Sequence, residues 1–378
     1  MQQHFIQDQQ ALNELCQQLA QSPMLAVDTE FVRTRTLYPK LGLLQVCNGD
    51  HLALIDPIVI DDLSPFWALL KDANILKVLH ACSEDLEVFL TAANCKPVNL
   101  IDSQVMMSFL GHGLSIGYAA MVKHFTEIEL DKSESRTDWT KRPLSEKQLN
   151  YAAADVTHLF AIFPTLLEQT KAAGWLSAAE QESQQMIEKK FTPIDETVLY
   201  RQVKFAWRLN PKQLNALKFL AQWRFQQAQK RDLPIGFIAK DHTILGIAQH
   251  QPKSTAAMLK IEGVEMLDVK HKGKAMLGVL AQASKTSPED YPKKVLRLDE
   301  YPGYKQLFKT VKTAIAAIAS EHGLAVENLA SKKQINQFLS WHYKLNGVDS
   351  DESSVDLLSS WRQGFAKEPL LKLVNNRA

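Results

Sequence analysis

The stretch MLAVDTEF (24–31) decides how the first half of this chain is read. Its apolar run has strand length. Asp28 and Glu30 stand two apart in it, so on a strand both project from the face that also carries Ala26. Leu25, Val27, Thr29 and Phe31 then point the other way. Two carboxylates on an apolar strand repel each other and resist burial, and a cation between them is the simplest compensation. A strand end emerging into water would show the same D-x-E, so the pair alone does not define a site.

Outward from that strand, LLQVCN (43–48) and HLALID (51–56) flank Asn48-Gly49-Asp50, a hairpin turn signal. ILKVLH (75–80) and VNLID (98–102) read as further strands, with a helix starting near Ser83. Ser145, with Gln148 three residues on, resembles a capping box for the helix that holds YAAADVTHL (151–159). A hairpin-led mixed sheet followed by helices predicts an α/β domain over residues 1–170. Past 170 the strand signals stop. A helical linker is expected over 171–205 and a first small helical domain over 206–286. After the polar SKTSPEDYP (284–292), a second helical domain runs over 293–378. A chain cut before residue 205 is expected to fold alone.

Asp85 follows a buried strand, where α/β sheets place their chemistry, although a first-turn aspartate also suits a helix dipole. Tyr151 and Asp155 stand four apart, hence on one helix face, separated by alanines that permit close approach. Together these positions supply four carboxylates and a phenol. Two-metal phosphodiester cleavage uses about that inventory: hard cations with oxygen ligands, and a hydroxyl that orients water.

Charge is divided unevenly. The net charge is +1, yet residues 1–190 carry −9 and residues 191–378 carry +10. Carboxylates for chemistry joined to cations for a polyanion suggest a nucleic-acid partner. Lys204, Arg208, Lys212 and Lys218 cluster with Phe205 and Trp207, and Arg224, Lys230 and Arg231 extend the group. The candidate phosphate contacts are Lys204, Arg208, Lys212, Arg224 and Arg231. The four cysteines form no CxxC pair, no secretory signal is read, and no apolar run reaches membrane-helix length. A cytoplasmic protein is expected.

D-T-E (28–30), E-D-L-E-V-F (84–89) and Y-A-A-A-D (151–155) resemble, in order, the three motifs of the DEDD exonuclease superfamily, with the tyrosine of its DEDDy branch. FVRTRTLYPKLGLLQV (31–46) and LDKSESRTDWTKRPLSEKQLNYAAADV (130–156) resemble the ribonuclease D family. WRFQQAQKRDLPIGFIAKDHTILGIA (223–248) resembles a helicase-and-RNase-D C-terminal (HRDC) domain, and LAVENLASKKQ (324–334) with LLSSWRQGF (357–365) a divergent second copy. The resemblance implies a ribonuclease-H-like exonuclease domain followed by two all-α HRDC domains. It also implies two divalent ions, Mg2+ or Mn2+. Asp28, Glu30 and Asp155 would hold the first, Asp28 would bridge to the second, and Asp85 would hold the second directly or through water. Tyr151 would position the nucleophilic water, and Phe31 would wedge against the last base, although core packing explains Phe31 as well. The expected activity is 3′→5′ removal of 5′-mononucleotides from RNA, tRNA precursors foremost, by a monomer without a nucleotide cofactor. A DNA 3′→5′ exonuclease and an inactive RNA-binding scaffold are the competing readings.

Overall fold

The computed structural model describes residues 2–345 and 351–375. Among these, β1 (Gln2–Ile6), β2 (Met24–Val32), β3 (Lys40–Cys47), β4 (His51–Ile55), β5 (Leu76–Leu79) and β6 (Leu100–Asp102) form one mixed sheet ordered β1-β4-β3-β2-β5-β6. β2, β3 and β4 run antiparallel; β1 joins β4 in parallel, and β5 and β6 extend from β2 in parallel. Helices α1 (Gln9–Leu19), α2 (Ser64–Lys71), α3 (Ser83–Ala93), α4 (Ser103–Phe109), α5 (Tyr118–Thr126), α6 (Glu146–Ala172) and α7 (Leu176–Phe191) cover its faces.

The alternation along β2 decides which helices meet which residues. Leu25 and Val27 join Leu44, Val46, Ala53 and Ile55 in a core that includes Leu12, Leu19, Phe66 and Phe89 from α1, α2 and α3. Ala26 faces the opposite core, with Leu43, Leu54, Met106 and Val156. The hairpin closes as its turn residues require. The Asn48 side-chain oxygen accepts from the amides of Asp50 and His51 at 3.1 and 2.7 Å. Gly49, at φ +93°, lies so close to Phe160 that a Cβ would come within 2.7 Å of the ring. The β2–β3 register shifts between Glu30 and Phe31, which leaves Gly42 unpaired as a bulge. A Cβ on Gly42 would reach 2.6 Å from the Trp139 carbonyl oxygen, so the bulge lets the loop before α6 lie flat on the sheet.

β1 adds to the expected strands. QQHFI ends in only two apolar residues, and its pairing with β4 sets its conformation. The first part of the expected linker is a packed element: in α7, Ile187 is buried in the sheet core and the Ser183 hydroxyl accepts from the Asp102 amide at 3.0 Å.

The first helical unit, α8 (Pro211–Arg231), α9 (Ile235–Ile238), α10 (Asp241–His250), α11 (Thr255–Met258) and α12 (Met266–Ala283), has its own core around Leu217, Leu220, Ile244 and Met276. The second comprises α13 (Tyr304–Glu321), α14 (Val326–Leu329), α15 (Lys332–His342) and α16 (Glu368–Asn375). Its core is continuous with that of the α/β domain, where Phe109 stacks on Trp175 and meets Trp361 edge-on. Asn328 donates to the Ser108 hydroxyl at 3.0 Å, Trp361 donates to Glu182 at 2.6 Å, and Arg362 pairs with the same carboxylate. Independent folding of a chain cut before 205 is therefore corrected: the cut would uncover Phe109 and Trp175 and strand Glu182. The first unit reaches back through Asp232, whose carboxylate accepts from the amides of Leu37 and Tyr38 at 3.0 Å each. No helix among the described residues is long and apolar enough to cross a membrane.

Candidate active site

Three elements deliver the acidic residues. β2 carries Asp28 and Glu30 on the α6 side of the sheet, where α6 crosses with Asp155. Ligand oxygens of Asp28, Glu30 and Asp155 all lie within 4.8 Å of one another, and each residue is half-buried. Asp85, in the first turn of α3, is buried at 6% exposure and accepts a hydrogen bond from the Thr29 hydroxyl. It lies outside that trio, yet near enough to disturb the ionisation of Asp28 and Glu30.

Burial and mutual repulsion hold protons on these groups. Asp28 is driven well up by burial first, then by Asp85, Asp155 and Glu30. Glu30 rises to about 9, through burial and then Asp155 and Asp85. Burial lifts Asp155 to about 7, and lifts Asp85 to about 7 against the opposing pull of the Thr29 hydroxyl. Hard oxygens so crowded, with no cationic side chain among the causes, fit a divalent cation.

Tyr151 is half-buried one turn before Asp155, its ring 6.0 Å from that of Trp139. Its hydroxyl is pushed above the ordinary phenol range by burial, then by Asp155, Glu30 and Asp28, so it keeps its proton. Beside it opens a cleft of about 440 Å³ lined by Tyr118, Lys132, Ser135, Lys147, Tyr151 and Asp155.

Positioning residues surround this group. The capping box forms, with Ser145 and Gln148 exchanging hydrogen bonds of 3.0 and 3.2 Å at the start of α6. Arg142 clamps the preceding loop, its Nε and Nη2 donating to the two oxygens of the buried Asp56 carboxylate at 2.7 and 2.6 Å and Nη2 also donating to the Gly42 carbonyl at 2.7 Å. Asp102 accepts from the amides of Ala81 and Cys82 at 3.0 and 2.8 Å, shaping the turn that leads to Asp85. Tyr118 donates to the backbone carbonyls of Ala154 and Asp155, fixing α6 at its acidic residue. Sequence reading missed Thr29 and Tyr118. Thr29 reads as a core-facing strand residue, and Tyr118 has no local pattern linking it to a helix 36 residues later.

The cationic candidates divide. Lys204, Arg208, Lys212 and Arg231 are exposed. Arg208 lies over the rings of Phe205 and Trp207 at 4.4 and 5.1 Å, and Lys204 lies over Phe205 at 5.2 Å. Arg224 is corrected. It is 8% exposed, paired with Asp241 at 2.7 Å and donating to the Ala239 carbonyl at 3.1 Å, so its charge is spent inside the helical unit. Phe31 is half-buried just past the bulge.

The fold belongs to the 3′→5′ exonuclease class: a family model described as 3'-5' exonuclease matches residues 3–171. Models for the HRDC domain and for the C-terminal HRDC domain of ribonuclease D match residues 213–280 and 302–370. The chain is 43% identical over 366 residues to ribonuclease D of Cronobacter turicensis, covering 97% of this chain and 98% of the relative. It is 42% identical over 365 residues to that of Escherichia coli, covering 96% of each. The crystal structure of Escherichia coli RNase D, an exoribonuclease involved in structured RNA processing, matches with a TM-score of 0.95 at 40% identity, covering 100% of this chain and 99% of that one. The chain belongs to the ribonuclease D family, and it is a 3′→5′ exoribonuclease acting on RNA.

Proposed function

We propose that this exoribonuclease works by a two-metal mechanism in which Asp28, Glu30 and Asp155 hold one divalent cation and Asp28 and Asp85 a second, Mg2+ or Mn2+. The observation that carries the reading is the convergence of three carboxylates from β2 and α6 within 4.8 Å, with Asp85 beside them. When bound, the cations supply Lewis-acid activation of water and neutralise charge at the leaving 3′ oxygen. The protein's own groups do the rest. Thr29 holds Asp85 and Tyr118 holds the α6 backbone. Tyr151, keeping its proton, orients the attacking water by hydrogen bonding and does not act as a base. The adjoining cleft takes the 3′-terminal nucleotide, with Lys132 and Lys147 facing its phosphates.

The division of labour follows the chain. Residues 1–170 form the exonuclease domain, 171–205 the connection, and 206–286 and 293–378 the two HRDC domains. Lys204, Arg208, Lys212 and Arg231 hold RNA phosphates, and Phe31 lies nearest the last base. The substrates are structured RNAs, tRNA precursors foremost, trimmed to 5′-mononucleotides by a cytoplasmic monomer.

The test uses matched RNA and DNA oligonucleotides with a free 3′ end. Asp28→Asn should abolish mononucleotide release from RNA in saturating Mg2+ while the protein stays folded. Tyr151→Phe should lower kcat by about 10²-fold with KM within about twofold, because only the transition state needs the oriented water. Near-normal turnover by Asp28→Asn, or faster hydrolysis of DNA than RNA, would overturn the reading.

A further inference from the structure

β3 lies beside β2, and its antiparallel register sets Gln45 directly opposite Asp28. Opposed residues share a face, with Cβ atoms about 4.5–5.5 Å apart. The Gln45 side chain therefore rises on the α6 side of the sheet, next to the acidic cluster. Its other cross-strand neighbour is Leu54, which is fully buried and apolar. Gln45 has 0% exposure, and neither its amide oxygen nor its amide nitrogen has a hydrogen-bond partner. A primary amide brings two donors and two lone pairs, and folded proteins rarely bury such a group unmatched. Leu43 and Cys47, its neighbours along that face of β3, are apolar and buried. Methionine or leucine would fill the same space without stranding polar atoms. The polar group that the register places beside this amide is the Asp28 carboxylate, on the same face of the sheet.

We propose that Gln45 is a positioning residue of the metal site, its amide N–H donating to the Asp28 carboxylate and fixing which Asp28 oxygen faces the cation. The inference rests on the reading of Asp28, Glu30 and Asp155 as metal ligands. It assigns Gln45 the outer hydrogen bond that ligating carboxylates commonly require. A carboxylate shared between two cations is the one whose rotamer matters most, because a turn about its side chain would displace both.

The experiment titrates the full chain with Mn2+ alone, without RNA, by electron paramagnetic resonance, comparing wild type with Gln45→Met and Gln45→Leu. Both variants should keep or raise the metal-free Tm, by about 1–3 °C, since an unmatched amide is replaced by an apolar group. Both should lose about 10-fold or more in Mn2+ affinity. With RNA, kcat should fall while KM stays within about twofold. Mn2+ affinity within twofold of wild type in either folded variant overturns the proposal. So does a metal-free Tm lowered by more than about 5 °C in both, which would show the amide already anchored without metal. Asp155→Ala separates the two levels: if it binds Mn2+ like wild type, the metal-site reading itself fails, and the Gln45 assignment with it.

Discussion

Glu30 shows what gathering carboxylates on one strand does to a protein without its cation. Its carboxyl titrates at about 9 instead of 4.5, and Asp85 and Asp155 titrate at about 7 instead of 3.8. Between the ordinary and the raised values, the folded protein binds more protons than the unfolded chain. Stability must therefore fall as pH rises through that window, and it is fully present only below the ordinary carboxylate values. Through these groups the metal-free protein should lose Tm steadily as pH rises from about 5 to about 9. Saturating Mg2+ should recover more of the loss as pH rises toward about 9, because binding then displaces fewer protons. Thermal scans across that range, with and without Mg2+, check this, and a metal-free Tm that rises toward pH 9 would contradict it. At this scale Asp28 with Glu30 and Tyr151 with Asp155 were legible because their spacing on a strand and a helix dictates a shared face, and Asp85 because it follows a buried strand. Thr29 and Gln45 were not. Each reads as an ordinary strand residue, and only the sheet register and the approach of α3 reveal what each one meets.

Arg142 is the point where one element depends on a single side chain. The loop between α5 and α6 carries Trp139 onto the Gly42 bulge and then delivers Ser145 to cap α6. Arg142 fastens that loop to the end of β4 through Asp56, whose side chain is 0% exposed. Removing the guanidinium leaves a buried carboxylate unpaired, a loss of about 3–5 kcal/mol. Arg142→Ala should therefore lower the urea midpoint markedly, and it should slow catalysis through displacement of Tyr151 and Asp155 on α6. Arg142→Ala with a wild-type midpoint would show that Asp56 finds another partner. The helix cap and the hairpin were readable in advance because each is a local pattern of a few residues. The bulge was not, since a glycine in a strand does not announce which loop will lie against it. Nor was the docking of α7, where the buried Ser183 is itself polar and Ile187 is followed by Glu188, Lys189 and Lys190.

Across the whole molecule, the charge split was legible by counting, but the way the halves are joined was not. The second helical domain shares its core with the α/β domain, which rules out simple truncation as a test of RNA grip. Neutralising charges in place avoids this. Lys204, Arg208, Lys212 and Arg231 are exposed on or beside the first helical domain, and none of their side chains is paired with a carboxylate in an ion pair shorter than 4.0 Å among the described residues. If each neutralises one RNA phosphate, each releases a counterion and contributes about 0.7 to the slope of log affinity against log salt on single strands. Replacing all four by glutamine, in an Asp28→Asn background that binds without cutting, should flatten that slope by about 2–3 and weaken binding most at low salt. Arg224→Gln is the internal contrast. Its guanidinium is committed to Asp241 and the Ala239 carbonyl, so it should lower the stability of the first helical domain and leave the slope unchanged. Filter binding or fluorescence anisotropy over a range of salt concentrations separates the two effects. An unchanged slope in the quadruple variant would move RNA binding off these four residues, and the cleft beside Tyr151, with Lys132 and Lys147, would then have to supply the phosphate contacts itself.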